Sequence, residues 1–343
     1  MKCILFCENP YAFAVLAPIR DVLKEKGYDV LWYLSEKLRN EFPYPKENNT
    51  SSINKLSEYK SDVIFVPGNE VPHFLRGVKT QVFHGLAGEK KGHFRIRHYF
   101  DLYLSQGPYF TERFMELSEK HKNFEVIETG WSKLDVYAKN NNLYNVEKET
   151  LLEKYKAKNI LLYAPTFSPS LTSAPFLKSE FEQIASNKDN LILFKFHDLM
   201  QKELIDAYKE LATKQENIVF VEERNILKFL LISDLMISDT SSVVYEFLLL
   251  NKPVITLKAR SPKSAWDDIK SADMLTERVK YNLDSDPFAE KRAKIIADYH
   301  PYNDGMSSLR MVEAVENYIH TNGVPDKRKL SFFRRYKINK IYK

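Results

Sequence analysis

A chain of 343 residues is long for one hydrophobic core, so two domains are expected. With 44% hydrophobic and 28% charged residues, the composition excludes a disordered or fibrous protein. The formal net charge of +5 is too mild to imply a nucleic-acid partner, and no apolar run reaches the ~18–20 residues of a membrane-crossing helix.

The first predicted strand, residues 2–7, carries the only two cysteines, Cys3 and Cys7. Four residues apart in a strand, they stand roughly 13 Å from each other, too far for a disulfide. They read as buried free thiols of a reducing compartment. The chain enters this strand with no charged leader and cleavage site, so the expected location is cytoplasmic. A loop at Asn9-Pro10 leads to an amphipathic helix over 14–26, closed by Gly27, and to a strand at 28–34. That order is a βαβ opening of a parallel sheet. A strand at 61–66 ends in Pro67-Gly68, and one at 80–83 delivers His84-Gly85-Leu86-Ala87-Gly88 at its carboxyl end. Strands at 101–105 and 125–128 follow, each with a glycine turn. Sheets wound this way bind ligands beyond the carboxyl ends of their strands.

The polar stretch 139–145 reads as a linker, after which a second series begins. Strands are expected at 159–164, ending in Pro165-Thr166-Phe167, and at 190–197, 218–220 and 253–257. Between them lie a helix at 226–231 and an apolar strand that runs into Ser238-Asp239-Thr240-Ser241-Ser242 and a helix from Val243. The expected fold is α/β, two Rossmann-like domains (1–140 and 146–322) facing across a cleft, with a basic and aromatic tail at 323–343. A last helix at 308–320, with Leu309, Val312, Val315 and Ile319 on one apolar face, is assigned to the second domain.

Several residues in this frame could carry chemistry. The turn 238–242, where a strand passes straight into a helix, aims backbone amides and the helix dipole at one point, a place for phosphate; an ordinary Ser/Thr cap fits the same residues. His84, at a strand end, suits proton abstraction from a hydroxyl, although strand-end histidines are also simply structural. Strand alternation puts Lys195 and His197 on one face, either to bind phosphate or as a surface pair. Glu246, four residues after Ser242, could accept from ribose hydroxyls or be a helix-surface residue. His93, Arg95, Arg97 and His98 either line the path of an acidic acceptor or form a solvated charge run. No metal-ligand spacing, P-loop or dinucleotide fingerprint is present, so neither a metal nor a resident cofactor is expected.

Four patterns occur in one order: His84-Gly85, Tyr163-Ala164-Pro165-Thr166-Phe167, Lys195-Phe196-His197 and Ser238-Asp239-Thr240-Ser241-Ser242. Together, over about residues 80–310, they resemble the CDP-glycerol glycerophosphotransferase family, the teichoic acid primases and polymerases, which have the GT-B architecture. Gly130-Trp131-Ser132-Lys133-Leu134-Asp135 looks like that family's G-x-P-R-x-D, and Asp304-Gly305 with Arg310 like its D-G…R signature. The resemblance implies that His84 is the general base and that His197, with Lys195, binds the donor's phosphates. Thr240, Ser241 and Ser242 would hold the pyrophosphate, with Glu246, Thr166, Lys133 and Arg310 as further donor-binding residues. The chain departs from the family where Leu86-Ala87-Gly88 replaces the usual Thr-Pro-Leu-Lys. It also lacks the motif proline, and Lys133 stands for the arginine, a point charge in place of a bidentate fork.

The implied reaction is attack of a glycan or lipid-linked hydroxyl on the β-phosphate of a CDP-activated glycerol or ribitol, releasing CMP, in synthesis of a cell-surface polymer. Two alternatives are a nucleotide-sugar glycosyltransferase or epimerase of the same fold, and a catalytically inactive surface-binding protein. The last 17 residues hold eight Lys/Arg and no acid, interleaved with aromatics, which suits peripheral contact with an anionic membrane face; a disordered basic tail fits the same composition.

Overall fold

The computed structural model describes residues 1–86, 92–138, 142–223, 225–260 and 265–342. Ala87 and Gly88 of the His84 loop, Lys139, Asn140 and Asn141 of the expected linker, and Lys343 lie outside the described residues. The chain forms two compact units, Met1–Lys139 with Ala297–Lys343, and Asn140–Ile296.

The first unit is built on seven parallel strands: β1 (Lys2–Cys7), β2 (Asp29–Leu34), β3 (Asn49–Thr50), β4 (Val63–Val66), β5 (Val78–Gln81), β6 (Leu102–Ser105) and β7 (Glu125–Glu128). Their order is β3-β2-β1-β4-β5-β6-β7. β1 is buried at every residue but Lys2, because a central parallel strand is covered by helices on both faces. Cys3 and Cys7 are both buried and free, and burial pushes each thiol up to about 12. The helix Tyr11–Glu25 lays Ala12, Val15, Leu16, Ile19 and Leu23 inward at helical spacing. The winding reverses between β1 and β4, so the loops that follow these two strands frame the crevice where such sheets take ligands.

The second unit has six parallel strands: β8 (Asn159–Tyr163), β9 (Asn190–Phe194), β10 (Ile218–Phe220), β11 (Leu235–Ser238), β12 (Val254–Leu257) and β13 (Asp267–Ile269). The order β10-β9-β8-β11-β12-β13 puts its reversal between β8 and β11. Its core joins Tyr163, Phe181, Phe194 and Tyr208 with the aliphatic faces of β8, β11 and β12.

Two domain expectations need correction. The last long helix, Ser307–Asn322, belongs to the first unit, not the second. It packs on the helix Tyr11–Glu25 and buries Met311, Val312 and Val315, and Glu316 accepts from Tyr28 and Lys26. The basic C-terminal stretch is not a free tail. Arg328 pairs with the nearly buried Asp101 at 2.6 Å, and residues Phe332–Tyr342 form a helix that buries Ile338 completely. Tyr342 donates to Glu8 at 2.8 Å.

Candidate functional site

In the first unit His84 stands three residues past β5, after Phe83, whose φ of +59° turns the chain away from the strand. The imidazole is exposed. Its Nδ1 lies 2.9 Å from the Pro67 carbonyl oxygen. A carbonyl only accepts, so Nδ1 carries the proton of the neutral ring and Nε2 presents a lone pair. Tyr11 packs its ring against the imidazole at 5.0 Å between centroids. The loop after β4 and the helix after β1 therefore fix the ring's orientation, with Nε2 left to present its lone pair.

The second unit gathers the other residues at the carboxyl ends of its strands. Asp239, 1% exposed, accepts from the amides of Thr166 at 2.8 Å and Ser173 at 2.7 Å, and from the Ser173 hydroxyl at 2.9 Å. Burial raises its carboxyl above the ordinary range, while those three bonds act the other way. This carboxylate ties the loop after β8 to the turn after β11, across the point where the sheet reverses. Ser238 adds a second tie, donating to the Ala164 carbonyl at 2.7 Å. Thr240 accepts the Arg260 amide at 2.9 Å. Ser242 makes no side-chain capping bond to the helix Val243–Leu248 that follows it, so its hydroxyl is not used as an ordinary cap. Ser241 and Glu246 are partly buried at and just after this turn.

Lys195 and His197 do not share a strand face. The β9 ladder ends at Phe194, where Tyr163 and Phe220 are its last partners, so alternation stops before either residue. Lys195 is 7% exposed and donates to the Phe196 carbonyl at 3.0 Å; burial holds its ammonium below the ordinary value. His197 is exposed against Phe167, with ring centroids 4.5 Å apart. Its Nδ1 accepts the Leu199 amide at 3.1 Å, which leaves Nε2 as the N–H donor. The two histidines thus hold opposite tautomers, one set to accept a proton and the other to donate a hydrogen bond.

Lys133 and Arg310 belong to the first unit and are not brought to the Thr240 turn within one unit. Lys133 lies over the Trp131 ring at 5.4 Å. Arg310 donates to the Thr129 carbonyl at 2.8 Å and to Asp304 at 2.7 Å, and stacks on Tyr302 at 4.2 Å. Asp135, at the end of the same motif as Lys133, accepts the amides of Ser307 and Ser308. Gly130, at φ +82°, has no room for a side chain, since a Cβ would meet the Ser307 hydroxyl at 2.5 Å. The Gly130–Asp135 motif and the Asp304-Gly305…Arg310 signature therefore form one joint that seats the helix Ser307–Asn322.

Of the basic cluster, His93 turns inward against Phe83 with rings 5.7 Å apart, and burial lowers it to about 4. Tyr11, the Pro67 carbonyl and the Ser173 partner of Asp239 carry no local sequence signal. Asp239 does: an acid directly after a buried strand is a tether in waiting. Among the described residues, no group of three His, Cys, Asp or Glu side chains is placed to hold a metal ion.

The glycerophosphotransferase family model, CDP-glycerol:poly(glycerophosphate) glycerophosphotransferase, matches residues 77–260. The chain is 30% identical over 273 residues to the teichoic acid ribitol-phosphate polymerase TarL of Staphylococcus aureus (strain NCTC 8325 / PS 47), covering 71% of this chain and 46% of that protein. It is 27% identical over 230 residues to a teichoic acid glycerol-phosphate primase of Bacillus subtilis (strain 168), covering 63% and 58%. It spans about half the length of the curated relatives it matches. A solved structure of the wall teichoic acid polymerase TagF superposes with a TM-score of 0.65 at 18% identity, over 93% of this chain and 89% of that one, a likeness of fold. The fold is thus the GT-B type, two parallel-sheet α/β domains. The matched span runs from the strand before His84 through Lys195, His197 and the Thr240 turn, so by its own motifs the chain belongs to the CDP-glycerol:poly(glycerophosphate) glycerophosphotransferase family.

Proposed function

We propose that the chain transfers a polyol phosphate, glycerol phosphate or ribitol phosphate, from a CDP-activated donor to a hydroxyl of a glycan or lipid-linked acceptor in cell-surface polymer synthesis. The observation that carries this reading is the tautomer of His84: Nδ1–H is committed to the Pro67 carbonyl, so Nε2 is the free base. The acceptor oxygen attacks the β-phosphorus and its proton passes to His84 Nε2. The bond from the β-phosphorus to the bridging oxygen breaks, and CMP leaves with that electron pair. In this reading Thr240, Ser241 and Ser242 receive the donor's phosphates, and Asp239 holds Thr166 beside them. His197 Nε2–H stabilises charge that develops on the leaving phosphate, and Glu246 faces the ribose. No resident metal is proposed. The enzyme acts at the cytoplasmic face of a membrane, a placement supported by the exposed Phe332 (74%), Phe333 (84%) and Tyr336 (65%) beside Arg335 and Lys340.

Calorimetric titration with CDP-glycerol, CDP-ribitol, CMP and UDP in the presence of EDTA tests the reading. Micromolar binding of a cytidine ligand is expected and ranks the two donors. Binding of uridine ligands alone would transfer the chain to nucleotide-sugar chemistry, and binding of none would remove the donor site.

A further inference from the structure

A cavity of about 690 Å³ opens in the first unit, at the reversal between β1 and β4. Its floor comes from the loops after those strands, including Glu8 and Asn69. Tyr11, the ring packed on His84, lines it too, so the cavity starts beside the candidate base. Its remaining walls carry four basic residues beside Tyr99, Ser331 and Phe333. Arg95 and Arg97 come from the segment after the His84 loop, and Arg334 and Lys337 from the C-terminal helix Phe332–Tyr342.

Among the described residues, these guanidinium groups lack counter-charges. Arg97 donates to Asn69 Oδ1 at 3.1 Å and to the Arg95 carbonyl, and Arg334 donates to the Arg97 carbonyl at 2.6 Å. All of these acceptors are neutral. Among the described residues, Arg95, Arg97 and Arg334 form no ion pair, whereas Lys337 is matched by Glu70 at 2.5 Å. Of the two acids in the cavity, Glu70 is thus occupied, and Glu8 accepts from Tyr342; burial also shifts Glu8 toward its neutral form. Three guanidinium groups around one cavity repel each other, and an anion between them removes that repulsion. Their planar forks match the oxygens of a phosphate, a fit that ammonium groups lack.

We propose that this cavity is a phosphate subsite for the acceptor: Arg95, Arg97 and Arg334 hold a phosphodiester already present on the acceptor while its terminal hydroxyl lies at His84. The inference rests on the transferase reading; a poly(glycerophosphate) chain is the acceptor by which the family is described, and what is added is which residues of this chain hold its phosphate. The C-terminal helix thereby becomes a specificity element, because it supplies Arg334 and lines the cavity.

The test is calorimetry on the full chain, with glycerol-phosphoryl-glycerol 1-phosphate as an anionic probe, glycerol as a neutral one and CDP-glycerol as the donor. The anionic probe is expected to bind and glycerol not to. The Arg97→Gln/Arg334→Gln variant should lose roughly tenfold or more in affinity for the probe and keep its CDP-glycerol affinity. Arg95→Gln, which alters an exposed side chain, should weaken the probe without shifting the melting temperature. No probe binding by the wild type overturns the subsite, as does equal binding by wild type and variants. Probe binding that depends on the arginines, with no binding of CDP-glycerol, would uphold the subsite and remove the transferase reading, so the two failures are distinguishable.

Discussion

Ser308 gives Asp135 both its backbone N–H, at 2.8 Å, and its hydroxyl, across 173 residues of chain. With the Ser307 amide at 2.8 Å, the carboxylate satisfies the first turn of the helix Ser307–Asn322, which no side chain of its own caps. Helix N-termini leave their first amides without intrahelical partners, and a carboxylate there also meets the positive end of the dipole. Asp135→Ala should therefore destabilise the protein by about 2–3 kcal/mol, read as a lower urea midpoint. Donor affinity should stay near wild type. Loss of donor binding at unchanged stability would give the motif a ligand role instead.

Arg310 permits a sharper separation. Its guanidinium is engaged by Thr129, Asp304 and Ser307. Arg310→Lys keeps the charge but cannot reach the carbonyl and the carboxylate together. A cost of about 1–2 kcal/mol is expected in denaturant unfolding, with an unaltered Kd for CDP-glycerol. A large rise in that Kd with no loss of stability would return Arg310 to the donor site.

Asp239→Asn replaces one carboxylate oxygen by an N–H donor among three groups that all donate to it. One amide is then left facing another donor. The loop carrying Thr166 should loosen, and CDP-donor affinity should fall roughly tenfold. His84→Ala should instead lower turnover by roughly 10²–10⁴-fold and spare donor affinity, because a base acts in the transition state. Identical profiles for the two variants would contradict this division of labour.

Stability should decline in mild acid. His300 is 4% exposed; its Nε2 accepts the Trp131 amide at 2.9 Å. Burial, reinforced by the Arg310 charge, lowers it to about 4. In the unfolded chain a histidine titrates near ~6.5. Between those values the unfolded state binds a proton that the folded state refuses. The stabilisation is therefore complete above about 6.5 and is lost as pH falls toward about 4. His300 contributes roughly 3 kcal/mol to that slope, and His93, also lowered to about 4 by burial, adds in the same direction. Urea midpoints at about pH 7 and about pH 5 measure it. His300→Gln should flatten the dependence, and a slope unchanged by that variant would assign it elsewhere.

Much of this architecture is legible in the sequence because parallel strands buried on both faces read as apolar runs. β1 and β8 stand where those runs lie, buried at every residue but the first. His84 and the Ser238–Ser242 turn were readable for the same reason, as polar residues placed where a buried strand stops. The pairing of Lys195 with His197 was not, because whether β9 ends at Phe194 or continues depends on where its neighbours β8 and β10 end. Nor could local pattern show that Asp135 serves Ser308 or that Asp239 serves Ser173. Hydrogen bonds that span 66 or 173 residues leave no periodicity. The helix Ser307–Asn322 displayed its apolar stripe plainly, but a stripe does not say which unit it covers.

The first unit is interrupted: its sheet lies in Met1–Lys139, and the segment that completes it begins at Ala297. During synthesis, the 297–343 segment follows the whole of Asn140–Ile296, a stretch that takes roughly 10–30 s to translate. Until then, the helix Tyr11–Glu25 lacks its partner helix Ser307–Asn322, and Asp101 lacks Arg328. The unit whose strands leave the ribosome first is thus the last to close, while the second unit has all its residues already. A newborn chain should consequently hold an open first unit beside a finished second one. In that interval its exposed apolar helix face is the surface most open to chaperones and to premature association.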